Sequence, residues 1–279
     1  MIVDGHCHVW ETWPYQPPVP DPHGRGRVEQ LLYEMDANGV GHAVVICAGI
    51  GENPANADYA FDAARRYPGR LTVFPDLECR WQQTYQTPGA AQRLRDAMRR
   101  WSFRGFTLYL TEAEDGSWLV GDEGLAFFRL ASERRLLASL SVLPRQVPHV
   151  VALARKLPEL TILLHHFAFL GPRSGTGPES AGDVLDAAAA PNIVVKYSGM
   201  GNVADPGQEF PYPELRWIPE MLGEAFGPDR LVWGSDYPVS RRNMTYAQTL
   251  SLLSRHGPFS AEGRAAVLGG TMRRLLDLR

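Results

Sequence analysis

Eight times along the chain a short apolar run is followed by a stretch with one apolar face, and this alternation constrains the fold more than any other feature. The runs cover residues 2–8, 43–48, 71–77, 105–110, 136–142, 161–166, 193–198 and 231–235. Several are apolar at consecutive positions, as in TILLHH and NIVVKY, the pattern of a parallel strand covered on both faces. Amphipathic segments fall between them at 28–38, 55–67, 89–101, 125–134, 147–156, 181–190 and 215–226, and two more close the chain at 246–255 and 261–278. Short strand–helix–strand connections imply right-handed crossovers and a parallel sheet. Eight repeats point to closure into a (β/α)8 TIM barrel. A doubly wound open sheet competes with it, but a Gly-rich phosphate loop should then follow the first strand, and here HCHVWETW follows. A length of 279 residues suits one barrel domain spanning 1–279, and no linker or break in composition divides it.

The long Pro- and Gly-rich segments, 11–27, 112–122, 170–182 and 199–213, all follow strands. Loops of that length serve binding or lid functions, and in a barrel the loops after strands build the face that carries the active site. The net charge of −3, with no concentrated basic stretch, argues against nucleic acid as a partner. Three separated cysteines without CxxC spacing read as reduced thiols. The first strand starts within two residues, which leaves no room for a signal peptide. No apolar run approaches the roughly 20 residues of a membrane span. The expectation is a soluble cytoplasmic protein acting on a small molecule, with a homodimer left open.

Three motifs carry chemistry. In DGHCH, alternation along a strand puts Asp4, His6 and His8 on one face. Two neutral imidazoles two residues apart bind one metal ion or orient a polar substrate. In LLHHF, at most one of His165 and His166 is expected to enter the barrel, the other sitting in the strand–helix layer. In WGSDYP, Asp236 ends a buried strand, where a carboxylate needs a metal, a histidine or a substrate proton as partner. Lys196 and Ser198 share parity on the seventh strand. A buried lysine must be paired or deprotonated, so Asp4 is the expected partner of Lys196, with Ser198 nearer the substrate. Arg80, Tyr109, Tyr237 and Arg241 fall at or just past strand ends as candidate substrate contacts, and Trp10 and Trp13 as candidates for the pocket mouth. His23, His42, His149 and His256 lie away from that face and receive no role.

HCH on strand 1, a His ending strand 6, NIVVKYSGM on strand 7 and GPDRLVWGSDYP entering strand 8 together resemble the amidohydrolase superfamily. The nearest branch is the amidohydrolase-related (amidohydrolase 2) metal-dependent hydrolases that include sugar lactonases and pyrone-dicarboxylate lactonase. The resemblance runs from DGHCH to the closing LGGTMRRLLDL. It implies an active-site core of His6, His8, His166 and Asp236: His6, His8 and Asp236 as metal ligands, Asp236 and His166 as the catalytic pair. Three departures stand out. Metal-binding members place a further His at the end of strand 5, where this chain offers only Ser139 and Ser141. Relatives carry Arg at or near Thr107 to hold a substrate carboxylate, and Thr271–Met272 stand where Asn-Ala is common. Several lactonase relatives lacking the strand-5 ligand resemble enzymes that work without a metal. The expectation is therefore at most one divalent ion, zinc by its ligand set, weakly held or absent.

The chemistry expected is hydrolysis. Asp236 takes a proton from water and returns it to the leaving group, and His166 polarises the carbonyl oxygen. Without a firmly held metal an unactivated amide is too hard, which favours a lactone or related ester. The competing activity on this scaffold is a metal-dependent non-oxidative decarboxylase of an aromatic acid. A non-catalytic ligand-binding barrel is a third alternative, against which Asp236 beside three histidines argues.

Overall fold

The computed structural model describes residues 1–278. Its strands are β1 Ile2–Cys7, β2 Val40–Ile46, β3 Leu71–Phe74, β4 Gly105–Tyr109, β5 Leu137–Ser141, β6 Ile162–Leu164, β7 Ile193–Tyr197 and β8 Leu231–Trp233. All pair in parallel, β1 to β2 to β3 and β4 through β8 in sequence order. Backbone hydrogen bonds join these two runs at both seams. Between β3 and β4, Thr107 N–H donates to Pro75 O at 2.9 Å and Leu77 N–H to Thr107 O at 2.9 Å. Between β8 and β1, Asp236 N–H donates to His6 O at 2.8 Å and His8 N–H to Tyr237 O at 2.6 Å. The ring is thereby a closed eight-stranded barrel.

The helices after successive strands are α1 Val28–Ala37, α2 Asn56–Arg66, α3 Ala90–Arg100, α4 Asp122–Glu133, α5 Val147–Lys156, α6 Gly182–Asp186, α7 Met200–Val203, α8 Trp217–Phe226, α9 Tyr246–Ser254, α10 Ala261–Ala265 and α11 Thr271–Leu276. The long helix expected over 261–278 is interrupted by a π-turn at Ala266–Gly270, which divides α10 from α11. Met272 and Leu276 on α11 join Val3, Val44, Ile46, Phe74, Leu137, Leu163, Val194 and Val232 in one buried cluster. This is the barrel interior, closed at its lower end by α11. A much larger apolar layer lies between strands and helices. None of the described helices is long and apolar enough to cross a membrane.

Two glycines set how β1 meets β8. A Cβ on Gly5 would run into the side chain of Val232, and one on Gly234 would lie 2.6 Å from Cβ of His6. Close approach at the seam therefore requires glycine in both DGHCH and WGSDYP. The register of β1 against β2 also slips here, since Asp4 faces Ala43 and Cys7 faces Val45. One extra residue on β1 breaks the alternation, so Val3 and His6 point inward while Asp4 and Cys7 point to the helix layer.

That slip overturns the expected Asp4–Lys196 ion pair. Asp4 turns to α9 and β8, accepting from Ser235 N at 2.9 Å, Ser235 Oγ at 2.6 Å, Tyr246 Oη at 2.9 Å and His6 N at 3.1 Å. It staples the seam from outside. Burial dominates its titration and pushes the carboxyl up to about 6, against these four donors. Lys196 does face inward, where Nζ lies 3.0 Å from His6 Nδ1 and donates to Ser139 Oγ at 2.7 Å. Burial draws the amine down to about 7.

Candidate active site

At the C-terminal end of the barrel three imidazoles converge on one carboxylate oxygen. His8 Nε2 lies 3.3 Å and His6 Nε2 3.6 Å from Asp236 Oδ1, and the two imidazole nitrogens are 3.3 Å apart. His166 Nε2 stands 3.9 Å from the same oxygen. All four residues are buried. Asp236 sits at φ 55°, a left-handed conformation that turns the carboxylate back over β1. Its Oδ2 accepts from Asn202 Nδ2 at 2.8 Å. Burial works against the charge of Asp236, but the His166 and His8 rings and the Asn202 amide outweigh it and hold the carboxyl below its usual value.

The donor set fits a tetrahedral metal. With metal–ligand bonds of about 2.0–2.1 Å, the edges of a tetrahedron are roughly 3.3–3.4 Å, and the three separations here are 3.3, 3.3 and 3.6 Å. Tautomers agree for His8. Its Nδ1 meets Ile46 O at 2.7 Å, and a carbonyl only accepts, so Nδ1 carries the proton and Nε2 keeps its lone pair. Trp10 supports that ring from behind, stacked at 4.9 Å and 12°, with Nε1 donating to Ala48 O at 2.8 Å. His6 offers the same lone pair when Nδ1–H donates to an unprotonated Lys196 amine. Burial and then Lys196 keep His6 well below the usual imidazole value.

His165 and His166 both enter the barrel, contrary to the expectation that only one would. Strand parity carries His165 inward beside Ser139, whose Oγ lies 2.7 Å from His165 Nε2. The backbone of His166–Phe169 then adopts positive φ of 46, 55, 53 and 55°, which swings His166 into the mouth instead of the helix layer. Ser198 Oγ lies 3.0 Å from His166 Nδ1. Burial, opposed by Asp236, lowers His166 to about 4, so the ring is neutral at pH 7. With Ser198 donating to Nδ1, its proton resides on Nε2, facing Asp236.

Above this floor lies a cavity of about 200 Å³. Arg80 and Tyr109 line it, as anticipated, together with Tyr15, Phe169, Asn202 and Arg242. Ser198 lies behind His166 and acts through it. Tyr237 is fully buried against Tyr246, its ring 5.9 Å away, and Arg241 projects to solvent; neither lines the cavity. Trp13 packs on Trp10 and Tyr15, so Tyr15 presents that cluster's face to the pocket. Asn202, on the one-turn helix α7 after β7, was signalled by nothing in the sequence except its place in SGMGN.

The sequence over residues 3–278 matches the family described as Amidohydrolase. An L-fucono-1,5-lactonase of Burkholderia ambifaria is 29% identical over 254 residues, which cover 86% of this chain and 81% of that protein. A crystal structure of a Burkholderia multivorans amidohydrolase with bound zinc superposes with TM-score 0.80 at 24% identity, covering 100% of both chains. A probable 2-pyrone-4,6-dicarboxylic acid hydrolase of Acinetobacter baumannii, with citric acid bound, superposes with TM-score 0.76 at 18% identity over 99% of each.

Proposed function

The chain belongs to the amidohydrolase family, and on that premise we propose that it hydrolyses a small-molecule lactone, or a related ester, at the Asp236 site. The observation that carries this is the convergence of His6, His8 and His166 on a single oxygen of Asp236 beneath a cavity open to solvent. Likeness to L-fucono-1,5-lactonases supports the bond type. His6, His8 and Asp236 would hold one divalent ion, zinc by the chemistry of two imidazoles and a carboxylate. Such an ion, when bound, lowers the pKa of water toward 7 and polarises a carbonyl.

The remaining work falls to the chain itself. Asp236 accepts a proton from the attacking water as its oxygen bonds to the lactone carbonyl carbon. Asn202 holds the carboxylate plane through Oδ2, leaving Oδ1 turned to the histidines. His166, neutral and oriented by Ser198, directs Nε2–H at the developing oxyanion. The ring C–O bond breaks, Asp236 returns the proton to the departing alkoxide, and a hydroxy acid leaves. An alkoxide is the easier leaving group for the single proton that Asp236 returns, since an amide nitrogen must be protonated before it departs. Proton release from a panel of lactones, followed with a pH indicator, tests the assignment. Release of carbon dioxide from aromatic acids, with every lactone left intact, would overturn it in favour of a decarboxylase.

A further inference from the structure

The inner cavity opens into an outer vestibule of about 620 Å³, and the charges around the two spaces are one-sided. Arg80 follows β3, Arg145 follows β5, Arg173 follows β6 and Arg242 follows β8, so four different loops each deliver one guanidinium. Against these four, Glu112 is the one rim carboxylate among the described lining residues. A chain of net charge −3 thus presents a mouth with an excess of three positive charges. Glu112 reaches only Arg80, at 3.9 Å. Arg242 is held over the Tyr15 ring at 4.8 Å. Arg145 and Arg173 have no carboxylate partner among the described residues. Unpaired like charges on one concave wall repel one another and focus a positive potential, both of which an anion relieves.

The floor beneath the reacting carbonyl and the β4 wall beside it supply no free cation. Thr107, inward on β4, is fully buried and spends its hydroxyl on Ser139 O at 3.2 Å. Lys196 lies beneath His6 and is committed there. Arg145 and Arg173 therefore stand in the vestibule and Arg242 where the vestibule meets the inner cavity, while Arg80 lines the inner cavity alone.

We propose that the substrate is an anionic lactone whose negative group lies at the end remote from the ring carbonyl, held by Arg145, Arg173 and Arg242. The ring rests in the inner cavity between Tyr15 and Tyr109 while the tail extends into the vestibule. Guanidinium forks take phosphate or carboxylate in the same geometry, so the shared chemistry is a terminal oxyanion. This inference rests on the lactone-hydrolase assignment above.

Three probes test it: neutral D-glucono-1,5-lactone, its 6-phosphate, and D-glucaro-1,4-lactone, which carries a remote carboxylate. The expected result is a kcat/KM higher for one or both anionic lactones than for the neutral one, falling with added salt only for the anions. The faster of the two anions identifies the tail. In the double variant Arg145→Gln/Arg173→Gln the ratio of anionic to neutral kcat/KM should drop about tenfold or more, since each lost charge-assisted bond is worth that order. Equal kcat/KM for all three probes, or an unchanged ratio in the double variant, overturns the anionic tail and leaves the lactonase assignment intact. Should no lactone be hydrolysed, equilibrium binding of 6-phospho-D-gluconate separates the two claims. Binding that weakens about tenfold in the double variant keeps the anion site and rejects lactone hydrolysis, whereas no binding, or equal binding by both proteins, rejects the anion site as well.

Discussion

Replacing Tyr246 by Phe removes one hydroxyl and almost no volume, and it tests how the barrel is closed. The hydroxyl donates to Asp4 Oδ2 at 2.9 Å in a fully buried site linking α9 to β1. A hydrogen bond to a charged acceptor contributes about 1.5–3 kcal/mol. Ser235 Oγ still donates to the same oxygen at 2.6 Å, which places the loss toward the lower part of that range. A loss of about 2 kcal/mol corresponds to a fall in Tm of roughly 4–8 °C for a domain of this class. Differential scanning calorimetry of the wild-type and Tyr246→Phe proteins reads this directly. The same instrument, applied to Asp4→Asn, Tyr246→Phe and their double variant, should show non-additivity, because the two side chains share one bond. An unchanged Tm for Tyr246→Phe, with strong coupling of Asp4→Asn to Lys196→Met instead, would refute the seam staple and restore the Asp4–Lys196 pair.

Asp236→Asn should fold normally by circular dichroism yet lose about 100-fold or more of its kcat/KM on a lactone, since the proton acceptor is gone; wild-type rates would make Asp236 a structural residue. Ser198→Ala frees His166 Nδ1 and should lower kcat about tenfold while changing KM less, because the ring loses its orientation rather than the pocket its shape. Gly234→Ala places a methyl against Cβ of His6 and should cost about 1–3 kcal/mol of stability as β1 and β8 are pushed apart, read as a lower denaturation midpoint.

The barrel was legible because parallel strands buried on both faces must be apolar at consecutive positions, and eight such runs are visible in the sequence. Strand parity also placed Lys196 and His6 inward correctly. It failed where the backbone leaves the regular pleat. At Gly5 the extra residue in β1 sends Asp4 outward, and a glycine inside a strand is the only hint of it. At His166 a run of left-handed residues returns a side chain that parity assigns to the other face. Nothing in FAF announces that conformation. Tyr15, Asn202 and Arg242 escaped notice because residues outside the strands carry no barrel periodicity, and Arg241 and Arg242 cannot be told apart without the turn that points one away and brings the other to the pocket. The histidine absent from β5 leaves Ser139, which joins Lys196 to His165 beneath the metal-competent triad.

The central claim is that one ion held by His6, His8 and Asp236 serves a lactone-opening site, and a zinc titration of chelator-stripped protein addresses it most directly. Lactone hydrolysis, measured as proton release at each addition, should rise in proportion to zinc and level off at one equivalent per chain. A plateau at two equivalents, or a rate that does not follow zinc while zinc demonstrably binds, would contradict the account.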